Sequence, residues 1–240
     1  MKLIVKIMIA LALLGGILLG IGLKNGGELY TSLQDGELHT FQDTVEQIDR
    51  GTEPVDPEDD YDYFDISVDS GSCTVKTGRY LAYSNDVAVR RNDANAIFFD
   101  VTSENAEIVL PAHKLPRLDI HVTDGSVQTE DLYTDELRLF CTNATLTVEE
   151  AEADSCSVGA EKATIHIDDL DTAQLEIGCD RSDLTLDVDG DPDEYYCISE
   201  ITDSTVTWDG DPLDRVRFGD TDAPRALTLT VTEGQVTFDP

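Results

Sequence analysis

The chain has 240 residues, and 50 acidic side chains against 16 Lys and Arg give it a formal net charge of −34. Its apolar fraction of 40% is enough for a packed core and is higher than in a disordered chain. So acidic a chain repels phosphates, which argues against nucleic acid as a partner.

Residues 1–24 form a separate apolar segment that contains three Lys and no acidic side chain. Its uncharged run, residues 7–23, would span roughly 26 Å as a helix, close to the ~30 Å core of a bilayer. Lys2 and Lys6 precede the run and only Lys24 follows it, so the positive-inside rule leaves the N-terminus in the cytoplasm. We therefore predict one N-terminal transmembrane helix, a single-pass protein of the cell membrane and an extracellular C-terminal domain. A cleaved signal peptide is the alternative.

Residues 25–60 are polar and contain Pro54, Pro57 and the start of an acidic stretch. Like charges in such a stretch keep the chain extended, so we predict an acidic stalk or linker. From about residue 61 the pattern changes to short alternating strands, and residues 61–240 are predicted to form the folded domain.

A repeat of 19 residues runs through the middle of this domain, where Leu118, Leu137, Cys156 and Leu175 are equally spaced. Counted from each of them as offset 0, apolar residues recur at offsets 2, 4, 9, 11 and 14, except that Asp189 stands at offset 14 of the fourth unit, and a small residue stands at offset 7. The alternation indicates strands with one buried face, and the small residue indicates a corner. One unit cannot bury its apolar side alone, but stacked units can.

The predicted fold is therefore all-β, a parallel β-solenoid (β-helix) with coils of about 19 residues. The crossover rule makes it right-handed. A β-sandwich of short strands is the alternative, and the fixed period favours the solenoid. The same offsets describe segments 64–73 and 227–238, and Tyr196, Ile198 and Val206 fit with one extra residue. Five Cys match no zinc motif, and their places in the repeat predict small buried side chains.

In these residues the chain resembles the bacterial β-strand-repeat proteins that are named adhesins, a family of unknown function. The resemblance rests on YFDISVDSGSCTVKTG, IVLPAHKLPRLDIHVTDGSVQTEDL, the four regular coils and EYYCISEITDSTVTWDG, and on the N-terminal hydrophobic segment. The Gly-Asp-Val corner of that family is eroded here, because Ala144, Ala163 and Ser182 replace the Gly that Gly125 keeps. The resemblance implies a coil and surface attachment, and it brings no catalytic residues.

One acidic column stands out in this register. Offset 12 holds Glu130, Glu149, Asp168 and Asp187, and stacked coils would place them as a ladder with rungs ~4.8 Å apart. Oxygen-rich clusters suit Ca²⁺, so these four residues are the candidate metal ligands, for a weakly bound Ca²⁺. A solvated acidic edge that keeps the protein soluble is the simpler interpretation, and we favour it.

Other acidic and aromatic residues give weaker signals. The stretch Asp187–Glu194 lacks the Gly and Glu of an EF-hand and indicates a turn. His121 and His166 fall on different coils, which predicts solvated surface side chains. Trp208 with Tyr195 and Tyr196 indicates either a binding patch or packing under the last coils, and we favour packing.

The sequence thus predicts a non-catalytic, membrane-anchored surface protein, an adhesin or envelope scaffold, with no resident cofactor. The expected partners are the membrane itself and cell-wall polymer, matrix polymer or another membrane protein. One alternative is a polysaccharide-active β-helix enzyme of the Ca²⁺-dependent lyase type. The other is an accessory protein in envelope-stress signalling, in which the G-x-x-x-G pair Gly16 and Gly20 would contact a membrane partner.

Overall fold

The computed structural model describes residues 31–34, 37–40, 46–47, 61–79, 81–91, 95–190, 192–213 and 217–239. This described part of the chain is all-β, as predicted, and consists of strands, turns and one single-turn 3-10 helix. The predicted membrane segment 1–24 lies outside the described residues. Among the described residues, no helix has the length and apolar character needed to cross a membrane.

The chain divides into two units, Met1–Val45 and Glu46–Pro240. The first contains an antiparallel hairpin of β1 (Thr31–Gln34) and β2 (Glu37–Thr40), within the predicted linker. The elements of the second unit are β3 (Glu46–Gln47), β4 (Tyr63–Asp69), β5 (Ser72–Gly78), β6 (Ala82–Tyr83), β7 (Ala88–Arg91), β8 (Ala96–Val101), β9 (Ala106–Pro111), β10 (Leu115–Thr123), β11 (Ser126–Thr142), β12 (Thr145–Glu161), β13 (Thr164–Asp180), β14 (Asp183–Val188), a 3-10 turn (Pro192–Glu194), β15 (Tyr195–Thr202), β16 (Thr205–Trp208), β17 (Asp211–Pro212), β18 (Arg217–Phe218), β19 (Arg225–Thr232) and β20 (Gln235–Asp239).

Parallel pairing with a shift of 19 residues organises the central strands. Leu118 pairs with Leu137, Leu137 with Cys156 and Cys156 with Leu175, so the predicted column exists. Three 17-residue strands, β11, β12 and β13, each run from one two-residue corner to the next, which gives the predicted period of 19 residues. The long parallel strands are consistent with a β-solenoid.

The inner side chains fill the interior in columns because alternate residues of each strand point to one side. Most columns stack an apolar residue on its equivalent in the next coil, and one continuous core results. The five Cys belong to these columns and are buried, which confirms their predicted role as small apolar residues.

Each corner begins with a residue of positive φ. Asp124, Asn143, Lys162 and Arg181 hold φ values of 50–51°. The backbone N–H of each donates to a carbonyl of the neighbouring coil, for example from Lys162 to Asp180 at 3.0 Å. These bonds satisfy the backbone N–H groups at the corners. The hydrogen-bond ladder between coils is therefore not interrupted where the chain turns.

The second corner residue is small because it faces the interior. Ala144, Ala163 and Ser182 are buried there, as the sequence predicted. At Gly125 an added Cβ would lie 2.5 Å from the carbonyl oxygen of Gly71 in the neighbouring coil. A larger residue would therefore force two coils apart.

The coils at both ends stack out of chain order. The coil of β4 and β5 lies between that of β8 and β9 and that of β10 and β11. At the other end, the coil of β19 and β20 lies between that of β13 and β14 and that of β15 and β16. Antiparallel strands β6 and β7 cover one end, and β17 and β18 cover the other. Such caps protect the edges of a stack from pairing with other chains.

The predicted register was wrong in two places near the C-terminal end. Cys197, not Tyr196, pairs with Leu227 and starts the column, so Ile198 points outward and is 40% exposed. At offset 14 of the fourth coil, Val188 pairs with Leu170 in place of Asp189, because the strand loses one residue there. In both cases burial of the apolar side chain outweighs the regular spacing.

Candidate functional site

One outer wall of the stack carries a dense group of charged and aromatic side chains on β4, β10 and β11. We call it the charged face. It consists of Tyr63, Asp65, Arg117, Asp119, His121, Glu136, Arg138 and Phe140.

The parallel register brings these residues together. They occupy the outward positions that alternate with the buried core residues of the same strands. Asp65 pairs with Asp119, and Asp119 pairs with Arg138 on the next strand. His121 pairs with Phe140 in the same way. Side chains that are far apart in sequence are therefore neighbours at the distance of one rung.

A tyrosine hydroxyl joins the two aspartates. Tyr63 Oη lies 2.8 Å from Asp65 Oδ2 and 2.9 Å from Asp119 Oδ2. Burial raises the pKa of the Tyr63 hydroxyl well above its ordinary value, and the hydrogen bonds and negative charges of both aspartates raise it further. The hydroxyl therefore stays protonated and acts as the donor in this bridge.

Arg117 neutralises the buried aspartate. Asp119 is only 4% exposed, and Arg117 donates to both of its oxygens from Nε at 2.9 Å and Nη2 at 2.6 Å. The hydrogen bonds with Asp119 and its charge raise the pKa of Arg117. The Arg117 guanidinium also lies over the Tyr63 ring at 4.7 Å. A buried carboxylate with a bidentate partner is a structural ion pair that fixes the geometry of this wall.

His121 and Phe140 form the exposed part of the face. Their rings stack with centroids 5.0 Å apart and an interplanar angle of 11°. His121 Nε2 lies 3.9 Å from Asp65 Oδ2, which links the stack to the aspartate pair. Phe140 is 37% exposed, so part of its apolar surface is available to a binding partner.

The charged face continues onto the neighbouring strands β7 and β8. Tyr63 packs edge-to-face on Phe98, and the Arg90 guanidinium lies over the Phe98 ring at 5.6 Å from its centroid. Arg90 donates to both oxygens of Asp100 at 2.8 and 2.9 Å. Side-chain contacts thus connect the five neighbouring strands of this wall, which are β7, β8, β4, β10 and β11.

Asp65, Asp119 and His121 are the only three residues within the described ranges whose ligand atoms lie close enough to hold a metal ion, all within 4.8 Å of one another. Both oxygens of Asp119 already accept from Arg117 and Tyr63. Binding of a cation would have to displace these donors, so the side chains present favour the internal network.

The predicted carboxylate ladder lies on a different wall. Glu130, Glu149, Asp168 and Asp187 each follow a paired position of offset 11, and Asp239 pairs with Asp187 and extends the column. They are exposed or partly exposed.

Two ladder carboxylates contact other side chains. Gln128 Nε2 donates to Glu149 Oε1 at 3.1 Å, and His166 Nε2 lies 2.6 Å from Asp168 Oδ1. Partial burial of Asp187 raises the pKa of its carboxyl, and the charges of Asp169 and Asp239 add to this effect. Binding of Ca²⁺ by this ladder stays a prediction.

The aromatic residues near the C-terminal end are packing residues. Tyr195 and Trp208 are buried, and Trp208 stacks on Phe238 with ring centroids 4.8 Å apart. Tyr195 donates its hydroxyl to the carbonyl oxygen of Asp189 at 2.6 Å. The Trp208–Phe238 stack holds the coil of β15 and β16 on the inserted coil of β19 and β20, and Trp208 is only 3% exposed.

The charged face was missed in the sequence, although a signal for it existed. The segment at Phe64 matches the regular coils, so the alignment alone gives Asp65 the same outward offset as Asp119, although it does not show that their coils are neighbours. The contacts of Tyr63 and Arg117 with that pair depend on side-chain conformations, which a repeat pattern does not specify.

Comparison of the chain with protein-family models, with curated proteins and with solved structures gives no match.

Proposed function

We propose that this protein is a non-catalytic, single-pass membrane protein whose right-handed β-solenoid presents a rigid binding wall outside the cell. Its partner would be polymer of the cell wall or matrix, or a neighbouring membrane protein. The observation that supports a binding role is the charged face with its continuation onto β7 and β8, where five strands hold partly exposed aromatic and charged groups in fixed positions. Binding surfaces gain affinity when their groups are ordered before the partner arrives.

The anchor and the handedness are supported by general rules applied to the sequence. The run at residues 7–23 is apolar enough for a membrane helix, and its flanking Lys residues favour an external domain. A right-handed path follows from the crossover preference of parallel strands.

Location is tested first, by fractionation of cells that express the full chain. We expect the protein in the membrane fraction, and we expect external protease to remove residues 61–240 from intact cells. A matched chain that lacks residues 1–24 should leave the membrane fraction. Recovery of the full chain in the cytosolic fraction, or protection from protease in intact cells, contradicts the proposal.

Binding is tested by sedimentation of the detergent-solubilised full chain with isolated, protein-free wall material of its own cells. Co-sedimentation that saturates with added protein supports the proposal, and affinity capture with crosslinking from intact membranes tests for a protein partner. If neither wall material nor a membrane protein is recovered, the binding role is wrong.

The lyase alternative keeps one specific observation, the stacked carboxylates from Glu130 to Asp187. It requires Ca²⁺-dependent turnover of an acidic polysaccharide. Formation of unsaturated products by the full chain, and loss of that activity in Asp168→Asn, would replace the non-catalytic proposal.

A further inference from the structure

The His121–Phe140 stack ends because the next two positions of its column are glycines, which have no side chain. The column that holds these rings continues with Gly159 on β12 and Gly178 on β13, and then with Thr230 on β19. Side chains at this column would continue the stack at the spacing of one rung. The two glycines interrupt it beside an exposed aromatic ring.

The two glycines have different consequences for the space beside Phe140. A Cβ at Gly159 would lie 2.8 Å from Cδ1 of Phe140, so the ring leans over this glycine. A Cβ at Gly178 would meet nothing within 4 Å. Open space therefore begins beyond the leaning ring and ends at the next filled position, Thr230.

We call this space the Phe140 slot. Phe140 and Thr230 lie at its two ends, and Gly159 and Gly178 form its floor. Its two sides are the neighbouring outward positions, which are Ser157, Glu176, Glu161 and Asp180.

The groups around the slot combine an aromatic ring face with an unpaired carboxylate. Phe140 offers a ring face with partial negative charge, which attracts C–H groups. Glu176 is exposed and has no ion-pair or hydrogen-bond partner in the described part of the chain. A carboxylate only accepts hydrogen bonds, so a ligand that contacts Glu176 there would have to supply O–H or N–H donors. Asp180, on the other side, is already paired with Arg181 at 2.6 Å.

We propose that the Phe140 slot binds one pyranose ring of a neutral, linear polysaccharide, with the C–H face of the sugar on Phe140 and a sugar hydroxyl donating to Glu176. This inference deepens and rests on the proposed binding function. A sugar ring has both an apolar face and hydroxyl donors, which matches the slot. The surrounding carboxylates, on a chain of net charge −34, repel an acidic sugar.

Two variants test the slot, one that removes the aromatic face and one that fills the open space, and each is compared with a second variant. Phe140→Ala removes the aromatic face, and Phe140→Trp keeps one. Gly178→Leu places a side chain in the open space, where nothing lies within 4 Å of its Cβ. Thr164→Leu is the matched control, since it adds the same side chain to an exposed position of the same strand on another wall.

The measurement is calorimetric titration of the detergent-solubilised full chain with hexamers of β-1,4-linked glucose, of N-acetylglucosamine and of galacturonate. We expect a neutral hexamer to bind and galacturonate to bind at least tenfold more weakly. Phe140→Ala and Gly178→Leu should weaken binding of the neutral hexamer about tenfold, the loss of one aromatic contact. Thr164→Leu should bind within about twofold of the parent chain, as expected for a substitution outside the slot, and Phe140→Trp, which keeps an aromatic face, should bind more tightly than Phe140→Ala.

Three results overturn the slot proposal: no binding of either neutral hexamer, tighter binding of galacturonate, or unchanged binding in Gly178→Leu. Binding of a Trp-containing peptide at the slot without binding of sugars would also overturn it. The wall-sedimentation assay separates the two proposals. If Gly178→Leu still sediments with wall material as the parent does, the slot is wrong and the binding function stands. If the parent binds a neutral hexamer but no wall material, the slot stands and the proposed partner is wrong.

Discussion

Tyr63 and Asp119 lie 56 positions apart in the chain, yet the Tyr63 hydroxyl oxygen is 2.9 Å from Asp119 Oδ2. The contact exists because β4 and β10 are neighbours in the stack although β5 to β9 separate them in sequence. The same hydroxyl reaches Asp65 on its own strand. One polar group therefore joins the inserted coil of β4 and β5 to the first regular coil.

Tyr63→Phe should lower the free energy of unfolding by about 1–3 kcal/mol, because it removes the donor shared by two carboxylates, one of them buried. Urea unfolding at neutral pH measures this change. Tyr133→Phe is the control, since the Tyr133 side chain is exposed, and it should change stability by less than ~0.5 kcal/mol. Equal effects of the two substitutions would contradict the bridging role of Tyr63.

Replacement by alanine should have different effects on stability at two glycines. Gly125→Ala should destabilise the fold by about 1–3 kcal/mol, because the new methyl group would press on the backbone of Gly71 and separate two coils. Gly178→Ala has open space around its Cβ and should be neutral or stabilising by up to ~1 kcal/mol. Thermal and urea unfolding of both variants measure the difference. A destabilising Gly178→Ala would show that this wall is more crowded than the structure indicates.

Replacement of Lys162 by glycine should leave the fold more stable than replacement by alanine. Its φ of 51° is unfavourable for a residue with a Cβ and costs glycine nothing. Both variants lose the same ammonium group, so their difference isolates the backbone. We expect Lys162→Gly to be more stable than Lys162→Ala by about 1 kcal/mol in urea unfolding. The reverse order would mean that the corner is not in the left-handed region.

The buried thiols should make the fold sensitive to alkaline pH. Burial raises the pKa of Cys156 to about 12 and that of Cys141 to about 11, above the ordinary value of 9.0. The unfolded chain then loses thiol protons before the folded chain does. The stabilising contribution is therefore complete below pH ~9 and falls as the pH rises toward the folded-state pKa values.

Each such thiol lowers the free energy of unfolding by up to ~1.4 kcal/mol per pH unit in that range. Urea unfolding at pH 8, 9 and 10 measures the slope. Cys156→Ala costs stability at every pH, because it leaves a cavity, but its slope between pH 9 and 10 should be shallower than that of the parent. An unchanged slope would show that Cys156 ionises as readily in the fold as in the unfolded chain.

Removal of the C-terminal segment should release strands that precede it. The coil of β19 and β20 lies inside the stack, and β15 has its parallel partner there. A chain that ends at Pro224 should therefore lose amide exchange protection across residues 195–208 and keep it across residues 126–161. Hydrogen exchange with mass spectrometry measures both regions. Retained protection of residues 195–208 would contradict the inserted position of the last coil.

The 19-residue period could be read from the sequence because it is a local property. Leu118, Leu137, Cys156 and Leu175 define equal spacing, and equal coils can bury their apolar sides only by stacking in register. The small corner residues follow from the same repeat. The sequence by itself therefore determined an all-β chain, the columns of its core and the outward positions of the acidic ladder.

The order of the end coils was decided only by the tertiary structure. Phe64 and Leu227 both carry the repeat, but no local pattern tells which neighbour each coil will choose. That choice depends on the best burial of all the coils together, and it also moved Cys197 and Val188 into register positions that the spacing gave to other residues. The charged face follows from it, since Tyr63 reaches Asp119 only because the coil of β4 is inserted beside β10.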